Sequence, residues 1–145
     1  MDINALVVDD SGIMRKLVMR SLLEAKLARF IFTEAKDGLD AINQFNPEQT
    51  NMIFLDWNMP NMSGLEVVRK IREIQKKHVP IVMITTESTM GKIEEVLGNG
   101  GADCFIVKPF TAEVLKKKLE PLFDKLSEPV AKPEGFFGRL AAKIN

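Results

Sequence analysis

Cysteine is almost absent: the 145 residues contain one, Cys104, so no disulfide can form within the chain. It lies in the apolar run "CFIVKPF" and reads as a core thiol. Neither sign of charge is in excess. The 20 basic residues are matched by 20 acidic ones, which counts against nucleic acid as the main partner, because gripping a phosphate backbone needs a basic footprint. No apolar run approaches the roughly 18 residues of a membrane span, so no membrane span is expected. The start, "MDINALVV", carries an acid and no basic residue, unlike a secretory signal; the cytoplasm is the expected compartment. The one histidine, His78, follows "QKK" shortly before Pro80 and reads as a solvated loop residue.

What is present is regular. A chain of this length with 46% hydrophobic residues can bury the core of one domain. Five short apolar runs recur: "INALVV", "RFIFTEA", "NMIFLDW", "PIVMITT" and "CFIVKPF". Between and after them apolar residues fall at helical spacing. Met14, Leu17, Val18, Leu22 and Ala25 make one face; Ala41, Ile42 and Phe45 a second; Leu65, Val68, Ile71 and Ile74 a third. Ile93, Val96 and Leu97 make a fourth, and Val114, Leu115, Leu119, Leu122, Phe123 and Leu126 a fifth. Strand and helix thus alternate. Runs with little internal alternation suit strands buried on both faces. The expected fold is α/β, a five-stranded parallel sheet with helices on both faces. Pro121 should kink or divide the last helix. After residue 127 the composition changes, and 128–145 reads as a Pro/Gly linker and a short amphipathic tail.

In an open parallel sheet the chemistry gathers outside the carboxyl ends of the strands. Asp9 and Asp10 end the first run, Asp56 the third, Thr85 and Thr86 the fourth, and Lys108 the fifth, before Pro109. Two carboxylates about 4 Å apart repel by about 4 kcal/mol at an effective dielectric of about 20. A cleft that collects three of them invites a divalent cation, and oxygen ligands alone favour Mg2+ over zinc. Asp56 is then a candidate nucleophile toward phosphorus, with Lys108 and Thr85 placed to hold the incoming oxygens; phosphoryl transfer asks mainly for positioning and charge neutralisation.

"LVVDDS", "LDWNMPNMSGLE", "IVMITTES" and "FIVKPF", in this order and spacing, resemble the receiver domain of bacterial two-component response regulators, and "DWNMPNMSG" especially its CheY-like chemotaxis branch. The resemblance covers about Asn4 to Leu126. It implies the doubly wound, flavodoxin-like strand order 2-1-3-4-5. It implies that Asp56 accepts a phosphoryl group from a histidine kinase, that Asp10, Asp56 and the Asn58 carbonyl ligate Mg2+, and that Asp9 assists. Lys108 would pair with the phosphoryl group, and Thr85 would move toward it as Phe105 changes rotamer. The Lys108–Pro109 peptide would be cis. Asn58 and Glu87 would tune how fast water removes the phosphoryl group. The surface of the fourth helix, fifth strand and fifth helix would then bind a protein target. Tyrosine is common in the chemotaxis branch where this chain has Phe105. Phenylalanine can switch rotamer but cannot donate a hydroxyl hydrogen bond, which weighs against a flagellar-motor contact of that kind.

The expected function is therefore a stand-alone signalling module, not an enzyme on other substrates. A phosphorelay carrier or phosphate sink is the alternative within signalling. A Mg2+-dependent aspartyl phosphatase uses the same covalent chemistry but wants an aspartate as general acid where this chain has Asn58. Trp57 reads as a cleft-rim residue, and the run Lys116 to Lys118 as a solvated or partner-docking face. In the tail, Phe136, Phe137, Leu140, Ala141 and Ile144 fall at helical spacing. So short a segment is marginal as an isolated helix, since helices under about 12–15 residues are not stable alone. It is expected to serve partner docking or self-association.

Overall fold

The computed structural model describes residues 2–86, 97–98 and 101–126. Its elements are β1 (Asp2–Val8), α1 (Gly12–Ala25), β2 (Arg29–Ala35), α2 (Gly38–Gln44), β3 (Met52–Asp56), α3 (Gly64–Ile74), β4 (Ile81–Thr85), β5 (Cys104–Val107) and α4 (Ala112–Leu126). The strands form one parallel sheet in the order β2-β1-β3-β4-β5. The helical pattern at Ile93 and Val96, Glu87, and the tail from residue 128 lie outside the described residues.

The strands alternate their side chains between two cores. Leu6, Val8, Ile53, Leu55, Ile81 and Met83 face one core with Val67, Val68 and Ile71 of α3 and Ala41 of α2. Ala5, Val7, Phe54, Val82, Ile84 and Ile106 face the other, with Val18 and Leu22 of α1 and Leu115, Leu119 and Phe123 of α4. β3 and β4 are buried at every position, which accounts for their unalternating sequence. β2 lies at the sheet edge, and its "RFIFTEA" alternates between exposed and half-buried until Ala35. Each fully buried side chain such as Phe54 or Leu55 contributes roughly 1.5–3 kcal/mol. The stability therefore lies in the sheet's centre, and its rim is left free for polar work.

Local signals set the helix ends. Ser11 caps α1, its Oγ accepting from Met14 N at 3.2 Å, and Lys26 ends it in the left-handed conformation with φ 55°. Ser63 and Glu66 form a reciprocal capping box at the start of α3. α4 is not divided at Pro121; it runs as one helix from Ala112 to Leu126. Leu119 and Phe123 anchor the helix in the core on either side of the proline, while Pro121 itself is exposed. The carbonyl of Lys117, which loses its helical donor, belongs to an exposed residue too.

Some apolar positions that the helical spacing assigned to a core face outward. Leu17 is 41%, Ile74 42%, Val114 46% and Leu126 38% exposed. Ile74 and Leu126 are the last residues of their helices, and Leu17 and Val114 sit at the border of the apolar stripe. Trp57 is 7% exposed and belongs to the first core, so it is a core residue and not a rim one.

The amino edge of the sheet is tied by one side chain. Arg72, near the end of α3, donates through Nε and Nη2 to the Gly101 carbonyl (3.0 and 2.6 Å). Its Nη1 donates to the Val79 carbonyl (2.7 Å) and Gln75 Oε1 (2.8 Å), and Nη2 also reaches Asp103 Oδ2 at 3.0 Å. Asp103 accepts from Ile81 N at 2.8 Å and lies 2.7 Å from His78 Nε2. His78 is largely exposed but not merely solvated.

Candidate functional site

The sheet register decides which side chains meet. Val8 is level with Leu55, and Asp56 with Ile84. One residue beyond Val8, Asp9 therefore stands beside Asp56. Thr85 is level with Val107, and Lys108 N donates to the Thr85 carbonyl at 2.8 Å. That bond delivers the lysine across β4 to the carboxylates. Its Nζ lies 3.1 Å from Asp56 Oδ1 and 3.4 Å from Asp9 Oδ2. The Lys108–Pro109 peptide is cis.

Asp9, Asp10 and Asp56 each offer a carboxylate oxygen, and the three oxygens lie within 4.8 Å of one another. Asp9 and Asp56 are 4% and 5% exposed, while Asp10 is open to solvent. Burial, and then repulsion from Asp9, push the Asp56 carboxyl above the ordinary range; the hydrogen bond and charge of Lys108 act against that rise. Among the described residues, three carboxylates against one ammonium leave a local excess of two negative charges. A hard divalent cation matches both that excess and an all-oxygen donor set. The residues present thus fit Mg2+.

Thr85 is 1% exposed at the end of β4, whereas Thr86 is exposed just beyond it. Asn58 is exposed in the loop after Asp56. Phe105 is half-buried on β5, away from the carboxylates, with Lys118 Nζ 3.9 Å from its ring centroid. In the run Lys116 to Lys118, Lys118 is half-buried, whereas Lys116 and Lys117 are exposed. The Cys104 thiol is half-buried, and burial raises it above its usual range.

Two features of the site were not read from the sequence. The first is Gly64. A Cβ there would lie 2.5 Å from the Asp56 carbonyl oxygen and 2.9 Å from Trp57 Cα, so only glycine lets α3 begin directly against the end of β3. The "MSGLE" stretch held that signal. The second is Arg15, in the first turn of α1. Its Nη1 donates to the Asp9 carbonyl at 2.7 Å and its Nε to Glu34 Oε1 at 2.8 Å. Glu34 is 19 residues away on β2, so only the sheet register pairs the two.

A buried carboxylate beside an ammonium, flanked by two further carboxylates at the carboxyl edge of a 2-1-3-4-5 sheet, defines a class, and comparison with known proteins gives the same class. Residues 5–120 match the response regulator receiver domain. The chain belongs to that family and is CheY-like. It is 42% identical over 118 residues to the chemotaxis protein CheY1 of Helicobacter pylori, covering 79% of this chain and 92% of that one. It is 34% identical over 123 residues to the chemotaxis protein CheY of Pseudomonas aeruginosa, covering 84% and 97%. Among solved structures, Vibrio cholerae chemotaxis protein CheY4 superposes with a TM-score of 0.72 at 35% identity, over 83% of this chain and 98% of that one. A receiver domain from Clostridium thermocellum shares the fold at 20% identity, with a TM-score of 0.73 over 86% and 96%. Among the described residues no helix is long and apolar enough to cross a membrane.

Proposed function

We propose that this protein is a response regulator that takes a phosphoryl group onto Asp56 from the phosphohistidine of a kinase and then binds a protein target. The observation that carries this reading is the Asp56 carboxylate, buried and 3.1 Å from Lys108, with Asp9 and Asp10 clustered beside it. An Asp56 oxygen attacks phosphorus, and the bond from phosphorus to the donor imidazole nitrogen breaks. The imidazole keeps the bonding pair and takes a proton from solvent. Lys108 holds Asp56 in its ionised form before transfer and pairs with a phosphoryl oxygen afterwards. Thr85 supplies a hydroxyl to another oxygen. Asp10, Asp56 and the Asn58 carbonyl would hold Mg2+, with Asp9 assisting; when bound, the metal supplies neutralisation of the charge on the phosphoryl oxygens. Asn58 and Glu87 set the rate at which water removes the group.

The output follows from the same contacts. A phosphoryl group on Asp56 draws the Thr85 hydroxyl toward it, vacating space for the Phe105 ring. The surface around β5, α4 and the segment before β5 is thereby biased toward its partner-binding form, by as much as the two forms differ in affinity. The target would be a protein in a chemotaxis-like pathway, and the compartment the cytoplasm.

Incubation with acetyl phosphate and Mg2+, followed by intact mass, tests the chemistry. One phosphoryl group should be gained per chain, and none by Asp56→Asn. Steady turnover of phosphomonoesters would instead identify a phosphatase. Gain of the group by Asp56→Asn would displace Asp56 as acceptor.

A further inference from the structure

We propose that Arg15 and Glu34 form a positioning pair that sets the Asp9–Asp10 turn for Mg2+. The inference rests on the reading of Asp10 and Asp56 as metal ligands and adds a group to that site which touches neither metal nor phosphoryl oxygens.

A single peptide joins the two aspartates. Its carbonyl, that of Asp9, accepts from Arg15 Nη1 at 2.7 Å. Fixing this carbonyl fixes the peptide plane from which Asp10 projects. Asp9 is held independently: its Oδ1 accepts from Ser11 N at 2.9 Å, its Oδ2 lies 3.4 Å from Lys108, and its own N donates to the Ala35 carbonyl at 3.2 Å. Asp10 has no hydrogen bond or ion pair of its own among the described residues, so its direction is set by the backbone beneath it. Arg15 can act as a brace because its planar fork is itself anchored. Nε donates to Glu34 Oε1 at 2.8 Å, and Lys16 Nζ holds the other oxygen of Glu34 at 3.2 Å. The Arg15 side chain is 18% exposed, and the hydrogen bond from it is the largest cause holding the Glu34 carboxyl below its usual range.

Charge and geometry predict opposite signs here. As a nearby cation, Arg15 repels Mg2+, so removing it should tighten binding if charge were its role. As a brace it orients a ligand, so removing it should weaken binding. Mg2+ also demands near-ideal octahedral geometry, whereas Ca2+ accepts irregular sites. Loss of a brace therefore harms Mg2+ more than Ca2+, a signature that a merely structural residue does not give.

The test is calorimetric titration of the 145-residue protein with Mg2+ and with Ca2+, for the parent, Arg15→Met, Arg15→Lys, Glu34→Gln and Asp10→Ala, with melts in chelator as the folding control. Arg15→Met should weaken Mg2+ binding about tenfold, the lower end of the range for groups that orient metal ligands, and lower the ratio of Mg2+ to Ca2+ affinity. Arg15→Lys keeps the charge without the fork and should lose most of the same affinity. Glu34→Gln, the milder change, should show a smaller loss in the same direction and serves if Arg15→Met does not fold. Unchanged or tighter Mg2+ binding in folded Arg15→Met, or equal losses for both metals, would overturn the proposal. If Asp10→Ala binds Mg2+ like the parent, the metal-ligand reading itself fails. If Asp10→Ala loses binding and Arg15→Met does not, only the positioning role fails.

Discussion

The two edges of the sheet handle charge in opposite ways. At the amino edge, the Arg72 guanidinium meets two carbonyls, an amide oxygen and Asp103, and Asp103 in turn meets Arg72, a backbone N–H and His78. Each charge finds its complement inside the protein. At the carboxyl edge, three carboxylates share one ammonium. The first arrangement is complete and serves as a staple. The second is incomplete among the described residues, and a divalent cation would complete it. Similar residue types thus stabilise at one edge and wait at the other. The ratio of donors to acceptors decides which, not burial.

Substitutions at each edge should expose the contrast. The largest effect is expected at Asp56. Asp56→Asn should abolish phosphoryl gain entirely and yet raise the melting temperature of the metal-free protein. Relief of roughly 1 kcal/mol of like-charge repulsion corresponds to about 2–4 °C for a chain of this size. A lower melting temperature would show the carboxyl edge to be a staple as well. Arg72→Met should do the reverse. It should cost about 2–3 kcal/mol in denaturant unfolding, because the Gly101 and Val79 carbonyls lose the Arg72 donor and Asp103 loses its guanidinium partner, while phosphorylation by acetyl phosphate at 25 °C stays near the parent rate. A large loss of that rate in the folded variant would mean that the two edges are coupled.

The third expectation is a pH dependence. Asp56 holds its proton more tightly in the folded protein than its unfolded value near 3.8. Its ionisation therefore opposes folding, and that cost is fully present only above the folded value. The advantage of Asp56→Asn over the parent should persist at neutral pH and vanish as pH falls through the folded value toward 3.8. Paired melting curves across this range measure it; an advantage that grows on acidification would reverse the assigned sign. The smallest effect belongs to His78→Gln. His78 is 60% exposed, so its contact with Asp103 should be worth under about 1 kcal/mol at pH 6 in a thermal melt. A larger loss would make the histidine part of the staple.

Much of this organisation was legible in the sequence because it depends on short periods. The five apolar runs, their order along the chain and the aspartates, threonines and lysine at their ends all follow from local patterning. Strand order came from family resemblance, since nothing in the runs themselves says which strand is central. Arg15–Glu34 and Arg72–Asp103 were hidden for one physical reason. Each joins residues on different elements, and an isolated arginine on a helix face looks the same whether it points to solvent or clamps a carbonyl. The exposed border residues Leu17 and Val114 erred the other way, because spacing gives the centre of an apolar stripe better than its width. Pro121 does not divide α4, because the helix is held by packing on both sides of it.

The close seat of Gly64 against the end of β3 has a mechanical consequence. α3 is a beam pinned at both ends, at one by backbone contact with Asp56 and at the other by the fork of Arg72. A helix held at both ends resists displacement from either. On its other sides Asp56 meets buried Asp9 of the β1 end and the buried end of β4, Ile84 and Thr85. Under the proposed switch, the direction in which a signal would leave the site is set partly by the side that is held.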